Sequence, residues 1–396
     1  MSNQLLITKG NGKIISALYE NQELIQVNTE DLENETLVGN IYIGKVKNIV
    51  KNINAAFVEI ENGQMCYFPL SKKEKPIFCN HKNTDKVCIG DEIIVQISKD
   101  AVKTKNPSVT ANLQFSGKYV ILTHGNVKIG ISNKIQEPEE RERLKQIVRP
   151  FVGEKKGCGI IVRTNSSGVS ADIIEREARQ LYEQYTELVH TGIYKSCFTK
   201  LYQAPAGYLC DIRNGYEEEI EGILTDDKEI YETILTYMKT YSEEDCSKVK
   251  LYTNEMISLN RLYGVETKIE KALQKNVWLK SGGYLVIQPT EAMTVIDVNT
   301  GKAIEGKKNV EEHFLKINKE AAKEVAKQLR LRNYSGIIII DFIDMVSEKA
   351  KKELIQCLES YIKKDPVKTV FVDITKLNLV ELTRKKVRKP LHEQWK

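Results

Sequence analysis

Two stretches toward the C-terminal end of the chain share one pattern, an apolar run that climbs to an aspartate and then breaks. In "EAMTVIDVN" the run reaches Asp297 and Asn299, and in "GIIIIDFID" it reaches Asp341 and Asp344. Short apolar runs bounded by turn residues predict buried strands. Between them Val310, Phe314, Ile317, Ala321, Val325 and Leu329 recur at helical spacing and predict an amphipathic helix. A right-handed strand-helix-strand crossover makes such strands parallel and places Asp297 and Asp341 on one edge of the sheet, where open α/β sheets take their ligands. The helical "SEKAKKELIQCLESYIKK" and the strand-like "KTVFVDIT" continue the alternation.

Upstream the period changes. "GKIISALYE" and "QELIQVNT" alternate in the strand manner on either side of a turn at Asn21. From about Glu35 to Gly117 come "VGNIYIGKVKNIV", "AAFVEIE", "MCYFPL", "DEIIVQISK" and "SVTANLQF", five short strands with turn signals between them. That density predicts a small OB-type barrel, an architecture that binds single-stranded nucleic acid on one face. "YVILTHG", "KIGISN" and "GCGIIVRT" read as strands, and "EPEERERLKQIVRPF" and "SADIIEREARQLYEQYTELVHTG" as helices, a compact α/β module. The section from about Phe198 to Ala272 holds "GYLCDIRNG" and the helical "DDKEIYETILTYMKTYS" and "TKIEKALQK", and its periodicity does not reveal a role.

Composition sets bounds on this picture. A chain of 396 residues exceeds one ordinary core and predicts about two to four modules. With 41% apolar and 29% charged residues the balance is globular rather than disordered. No apolar run approaches the roughly 20 residues of a membrane span, and "MSNQLLITKGNGK" lacks a signal-peptide core, so the expected location is the cytosol. Eight cysteines without a regular framework predict reduced thiols. The net charge of +5 is modest, with basic residues gathered in "RKKVRKP" and along the helix after Asp297, which mildly favours a polyanionic partner.

The paired strand-end carboxylates carry the chemistry. One such aspartate ordinarily caps a helix or shapes a turn. Two in matched positions repel one another, and a hard divalent cation removes the conflict; Mg²⁺ takes one or two protein carboxylates and leaves room for phosphate oxygens. Asn299 either adds a carbonyl ligand or holds one carboxylate by a hydrogen bond. The pattern alone does not separate Asp341 from Asp344. Lys316, Lys319, Lys323, Lys327, Arg330 and Arg332 form a basic stripe that either contacts an RNA backbone or is merely solvated. In the barrel, Phe57, Tyr67 and Phe68 fall on adjacent strands and either stack bases from an exposed face or pack in the core, with alternation letting only one of Tyr67 and Phe68 face outward. Lys105, in "KTKNPSVT", reaches phosphate or solvent. "CNHKNTDKVC" offers Cys79, His81 and Cys88 without a CxxC pair and reads as a loop insertion, not a zinc site. None of His81, His124, His190, His313 and His392 has a partner that recommends a nucleophilic triad.

Taken together, "TVIDVNTGK", "AKQLRLRNYSG", "IIIIDFIDM" and "LVELTRKK" in that order resemble the catalytic region of the ribonuclease E/G family. "GNIYIGKVKNIVKNINAAFVEI" with "CYFPL" resembles that family's S1 domain, and "GIIVRTNSSG" its 5′-sensor. The resemblance covers nearly the whole chain. It implies an α/β multi-domain enzyme: an RNase H-like subdomain from residues 1–35 and 198–272, an inserted S1 domain at 36–118 and 5′-sensor at 119–197, and a DNase I-like catalytic domain at 273–396. It implies Mg²⁺-dependent cleavage of single-stranded, A/U-rich RNA to 5′-phosphate and 3′-hydroxyl ends, with Mn²⁺ as a substitute ion, in RNA processing and decay. Asp297 and Asp341 would hold the metal and Asn299 would support them. Phe57 and Tyr67 match the S1 aromatics. Arg163 and Thr164 match the sensor of a 5′-monophosphate, and Lys368 falls where a third sensor contact is usually arginine, so sensing is expected to be weaker.

Where family members carry a CPxC motif that shares zinc between subunits, this chain reads "VRKPLHEQWK". The expectation is no structural zinc, and a monomer or a homodimer built through another surface. Two rival readings remain: a catalytically inactive RNA binder, and a nuclease of DNA or structured RNA.

Overall fold

The structure, a computed structural model, describes residues 3–32, 36–71, 73–79, 82, 84, 86–101, 105–215, 220–241, 243–254, 256–301 and 310–396. The chain divides into two compact units, one of residues 1–33, 219–233 and 247–396, the other of residues 34–218 and 234–246.

The first unit contains two sheets. In one, Asn3–Gly10, Lys13–Glu20 and Glu23–Asp31 form antiparallel hairpins. The two-residue turns are Asn11–Gly12 and Asn21–Gln22, with φ of 47° and 69° and of 47° and 66°. Positive φ at both central residues gives the turn whose twist matches the flanking strands, and Asn-Gly favours it most. Gly222–Thr225 then joins Asn3–Gly10 in parallel, and Val249–Leu251 extends the sheet. The section between Phe198 and Ala272 therefore supplies two short strands: Gly222–Thr225 pairs across more than two hundred residues of sequence, and Val249–Leu251 pairs with it.

The second sheet runs, in spatial order, Asn276–Trp278, Tyr284–Pro289, Met293–Asn299, Gly336–Asp341, Val380–Arg384 and Thr369–Ile374. Met293–Asn299 and Gly336–Asp341 are parallel, while the other neighbours are antiparallel. Helices Val310–Leu331 and Glu348–Ile362 cover one face, where Ile296, Val298, Ile338, Ile340 and Leu382 pack with Ile317, Ala321, Val325, Leu329 and Leu358. Each large apolar side chain fully buried there contributes about 1.5–3 kcal/mol. The helical stripe is narrower than its spacing predicts, because Val310 at the helix start is 42% exposed. The opposite face is open: Val295, Ile337 and Val370 stay exposed. The apolar runs that suggested two-sided burial thus belong to a one-sided sheet.

The second unit contains the barrel. Ile41–Val50, Ala55–Glu59, Met65–Pro69, Ser108–Thr110 and Glu92–Lys99 pair in turn, and Ile41–Val50 closes onto Glu92–Lys99. This OB-like barrel is the one the strand spacing predicts. Its interior holds Val46, Ala56, Val58, Phe68, Ile93, Val95 and Val109. Gln114–Ser116, the tail of the fifth predicted strand, leaves the barrel and pairs with Val120–His124, beside Cys158–Val162 and Ile129–Ile131. Helices Pro138–Val148 and Ala171–Gly192 pack on this sheet through Leu144, Val148, Ile174, Ala178 and Leu181. No helix among the described residues is long and apolar enough to cross a membrane.

Candidate active site

Asp297 and Asp341 are direct partners in the parallel register, so their backbones stand one strand spacing apart, about 4.8 Å. Residues along a strand alternate between faces. Thr294, Ile296 and Val298 point into the core and Val295 and Asp297 out of it, and Ile340 points in where Asp341 points out. Both carboxylates therefore stand on the open face, which spares them the penalty a buried strand end would impose. A smaller burial penalty and mutual repulsion remain. Residual burial, then the charges of Asp297 and Asp344, hold the Asp341 carboxyl above the usual aspartate range.

Asn299 Nδ2 donates to Asp297 Oδ2 at 2.8 Å, which places Asn299 as a brace on one carboxylate. The chain then turns at Gly301, with φ of 54°, where a Cβ would collide with the Gly282 carbonyl. Only glycine meets both conditions, so the "SGG" turn and the end of the Asp297 strand fit together through it. Lys302 lies outside the described residues.

The turn after Asp341 is held from beneath. Asn318, fully buried on helix Val310–Leu331, donates Nδ2 to the Ile343 carbonyl at 2.8 Å and accepts from the Ile343 N–H at 3.0 Å. A buried Asn within an apolar stripe marks such a bond, and Asn318 directly after Ile317 is the signal the sequence carries for it. Asn318→Ala removes both bonds and leaves two part-buried backbone groups without their partner. The expected cost is about 2–4 kcal/mol, read as a lower chemical-denaturation midpoint; an unchanged midpoint would show that the turn does not depend on it. Asp344 sits beyond the strand end, where Asn378 Nδ2 donates to its Oδ1 at 3.4 Å; it faces no aspartate in register, unlike Asp341.

Several motif residues prove to be framework. The helix ends at Asn333, with φ of 51°, the left-handed position that asparagine tolerates. Its amide donates to the Lys389 carbonyl and accepts from Arg384. Arg384, only 4% exposed, sets Nε on Asp365 Oδ2 at 2.7 Å and Nη1 on the Tyr334 carbonyl at 3.0 Å. The six residues of the basic stripe do not form one cationic surface. Arg332 is buried with Nε on Gln328 Oε1 at 2.6 Å, Arg330 spreads its fork over Gln26, Lys319 pairs with Glu353 and Lys327 with Glu23. Lys316 and Lys323 are exposed.

On the barrel, Phe57 and Tyr67 are opposite neighbours on adjacent strands, half-buried, their rings edge to face at 6.4 Å, whereas Phe68 is fully buried. Lys105 is exposed, just ahead of Ser108, which neighbours Tyr67. In the second sheet of this unit, Arg163 Nη1 donates to the Gly117 carbonyl and Nη2 to Asn214 Oδ1, both at 2.9 Å. Thr164 Oγ1 shares a 2.9 Å hydrogen bond with Ser132 Oγ. Behind them the buried Glu177 carboxylate accepts the N–H groups of Lys118, Tyr119 and Val120. Burial raises its pKa. Lys368 is exposed and belongs to the first unit.

His124 lies between the Tyr185 hydroxyl and the Lys75 carbonyl, 2.7 and 2.9 Å away, and burial holds its pKa down, so it serves as neutral framework. Cys79 and Cys88 are thiols and His81 lies outside the described residues. Among the described residues no three His, Cys, Asp or Glu side chains gather as a metal site. The Asp297–Asp341 pair, two carboxylates with an unrelieved repulsion on a solvent-facing sheet, fits a divalent ion that draws its remaining ligands from water and substrate.

An OB-like barrel in one unit and paired carboxylates on a one-sided α/β sheet in the other make this a multi-domain α/β protein with a candidate acidic site. The family model described as the ribonuclease E/G family matches residues 114–387. The chain is 33% identical to ribonuclease G of Escherichia coli strain K12 over 401 aligned residues, 99% of this chain and 81% of that one. It is 34% identical to ribonuclease G of Haemophilus influenzae, covering 95% of this chain and 78% of the relative. Ribonuclease E of a Synechocystis strain is 32% identical over 90% of this chain and 53% of its own length. The chain belongs to the ribonuclease E/G family, and it is an endoribonuclease.

Proposed function

We propose that the protein cuts single-stranded, A/U-rich RNA in a Mg²⁺-dependent reaction, leaving 5′-phosphate and 3′-hydroxyl ends, with preference for 5′-monophosphorylated substrates. The observation that carries this reading is the register pairing of Asp297 with Asp341 on an open sheet face, braced by Asn299. Asp297 and Asp341 would hold the ion, with Mn²⁺ able to replace it; when bound it supplies Lewis-acid stabilisation of charge on the phosphodiester and a more acidic water. Asn299 keeps Asp297 oriented, and Asn318 fixes the turn after Asp341, so both carboxylates are set before substrate arrives.

In this reading Phe57 and Tyr67 stack bases on the barrel, with Lys105 beside them on the backbone. Arg163 and Thr164, oriented by Gly117, Asn214 and Ser132, read the 5′-phosphate; Lys368 keeps the charge, but not the fork, of the arginine usual at the third sensor position. The corresponding domains are RNase H-like at 1–35 and 198–272, S1 at 36–118, 5′-sensor at 119–197 and DNase I-like at 273–396. The cellular setting is RNA processing and decay in the cytoplasm.

Incubation of a 5′-monophosphorylated A/U-rich oligoribonucleotide with and without Mg²⁺ tests the proposal. Metal-dependent fragments carrying 5′-phosphate support it, and binding without product favours an inactive binder. Equal cutting of DNA of the same sequence favours a less selective nuclease. Arg163→Ala should narrow the preference for monophosphate over hydroxyl 5′-ends by about tenfold, the worth of one charge-assisted contact. An unchanged ratio of kcat/KM values would remove Arg163 from 5′-end sensing.

A further inference from the structure

The open sheet face carries more than the two carboxylates. Opposite residues in a ladder share a face, so the register can be followed outward from Asp341. One rung runs Asp341, Asp297, Val286 and Asn276. The next runs Asn299, Tyr284 and Trp278, ending on the sheet's edge strand. The brace on Asp297 therefore shares its rung and its face with two aromatic rings. Trp278 lies two strand spacings from Asn299, about 10 Å. It is 71% exposed, and its ring lies against Tyr284 with centroids 5.1 Å apart. Lys275 and Lys280, both exposed, flank it in sequence.

A large aromatic surface on an edge strand gives up the stabilisation that burial provides, and nothing in the core requires a tryptophan there. Tyr284 contacts the ring, and the exposed Lys275 and Lys280, on either side in sequence, supply cations for phosphates. We infer that Trp278, backed by Tyr284, is a platform on which a base of the single-stranded substrate stacks next to the cut, so that the catalytic sheet itself helps to place the scissile phosphate. This rests on the endoribonuclease reading of the Asp297–Asp341 face and adds a base-binding subsite to it. Stacking tolerates any base, so the platform sets register along the strand more than sequence preference.

The test uses the full chain and a 5′-monophosphorylated A/U-rich oligoribonucleotide with one mapped cut, together with versions carrying a single abasic nucleotide at each position around the cut. Trp278→Ala should raise KM roughly tenfold, as for the loss of one stacked base, with kcat little changed, and Trp278→Phe should recover most of the loss. One abasic position should weaken the wild type by a similar factor and cost Trp278→Ala nothing more. The platform is refuted if Trp278→Ala cuts like the wild type, or if every abasic position affects both proteins equally. It is also refuted if the variant's main change is a lower solution mass, which would assign the ring to contact with a second copy. Should the wild type cut nothing, the nuclease reading fails separately. The chain has two tryptophans, so a Trp395→Phe background leaves Trp278 as sole reporter. Quenching of its emission by the metal-free oligonucleotide then still decides for stacking, and unchanged emission against it.

Discussion

Asp297→Asn should abolish RNA cleavage, by at least about 10³-fold or roughly 4 kcal/mol of lost transition-state stabilisation, while single-stranded RNA should still bind. The substitution is nearly isosteric on an exposed position, so the fold has no reason to change. It removes one of the two carboxylates that stand together in register, and it replaces the acceptor of the Asn299 hydrogen bond with an amide. A cleavage time course paired with a filter-binding titration reads both quantities. Normal turnover by this variant would remove the paired carboxylates from the chemistry, whatever else the protein does.

The second large effect falls on stability. Arg384→Ala leaves Asp365 buried without its cation and strips Asn333 and the Tyr334 carbonyl of their donor. Breaking a buried pair from one side typically costs about 3–5 kcal/mol, expected here as a fall of roughly 10 °C in melting temperature. Arg384→Lys keeps the charge but not the fork that serves three acceptors, so it should recover only part of the loss. A melting curve matching that of the wild type for Arg384→Ala would show that the strand pairing alone secures this corner of the sheet.

These two residues also show what could be read from the chain. The barrel was legible because its strands are short, consecutive and separated by turn residues, all local signals. The Asp297–Asp341 pairing was legible for a related reason: a strand, a helix and a strand in succession leave few ways to arrange two apolar runs. Which face the aspartates take was not legible. Runs such as Ile337–Ile340 are apolar at every position, and the open face is seen only once the helices are placed. Gly222–Thr225 was hidden because its partner Asn3–Gly10 lies at the start of the chain, and Val249–Leu251 because it is only three residues long and pairs with that hidden strand. Arg332 and Arg384 looked like members of basic patches, since burial of a guanidinium depends on distant acceptors that periodicity cannot display.

The sheet's two sides invite a simple genetic expectation. At positions 294, 296, 298, 338 and 340 an amino-acid change alters melting; at 295, 297, 299 and 341 it alters turnover and leaves melting nearly as it was. Loss of turnover and loss of fold are thus expected to fall on alternate residues of the same strands, so a variant's defect can be assigned by the parity of its position.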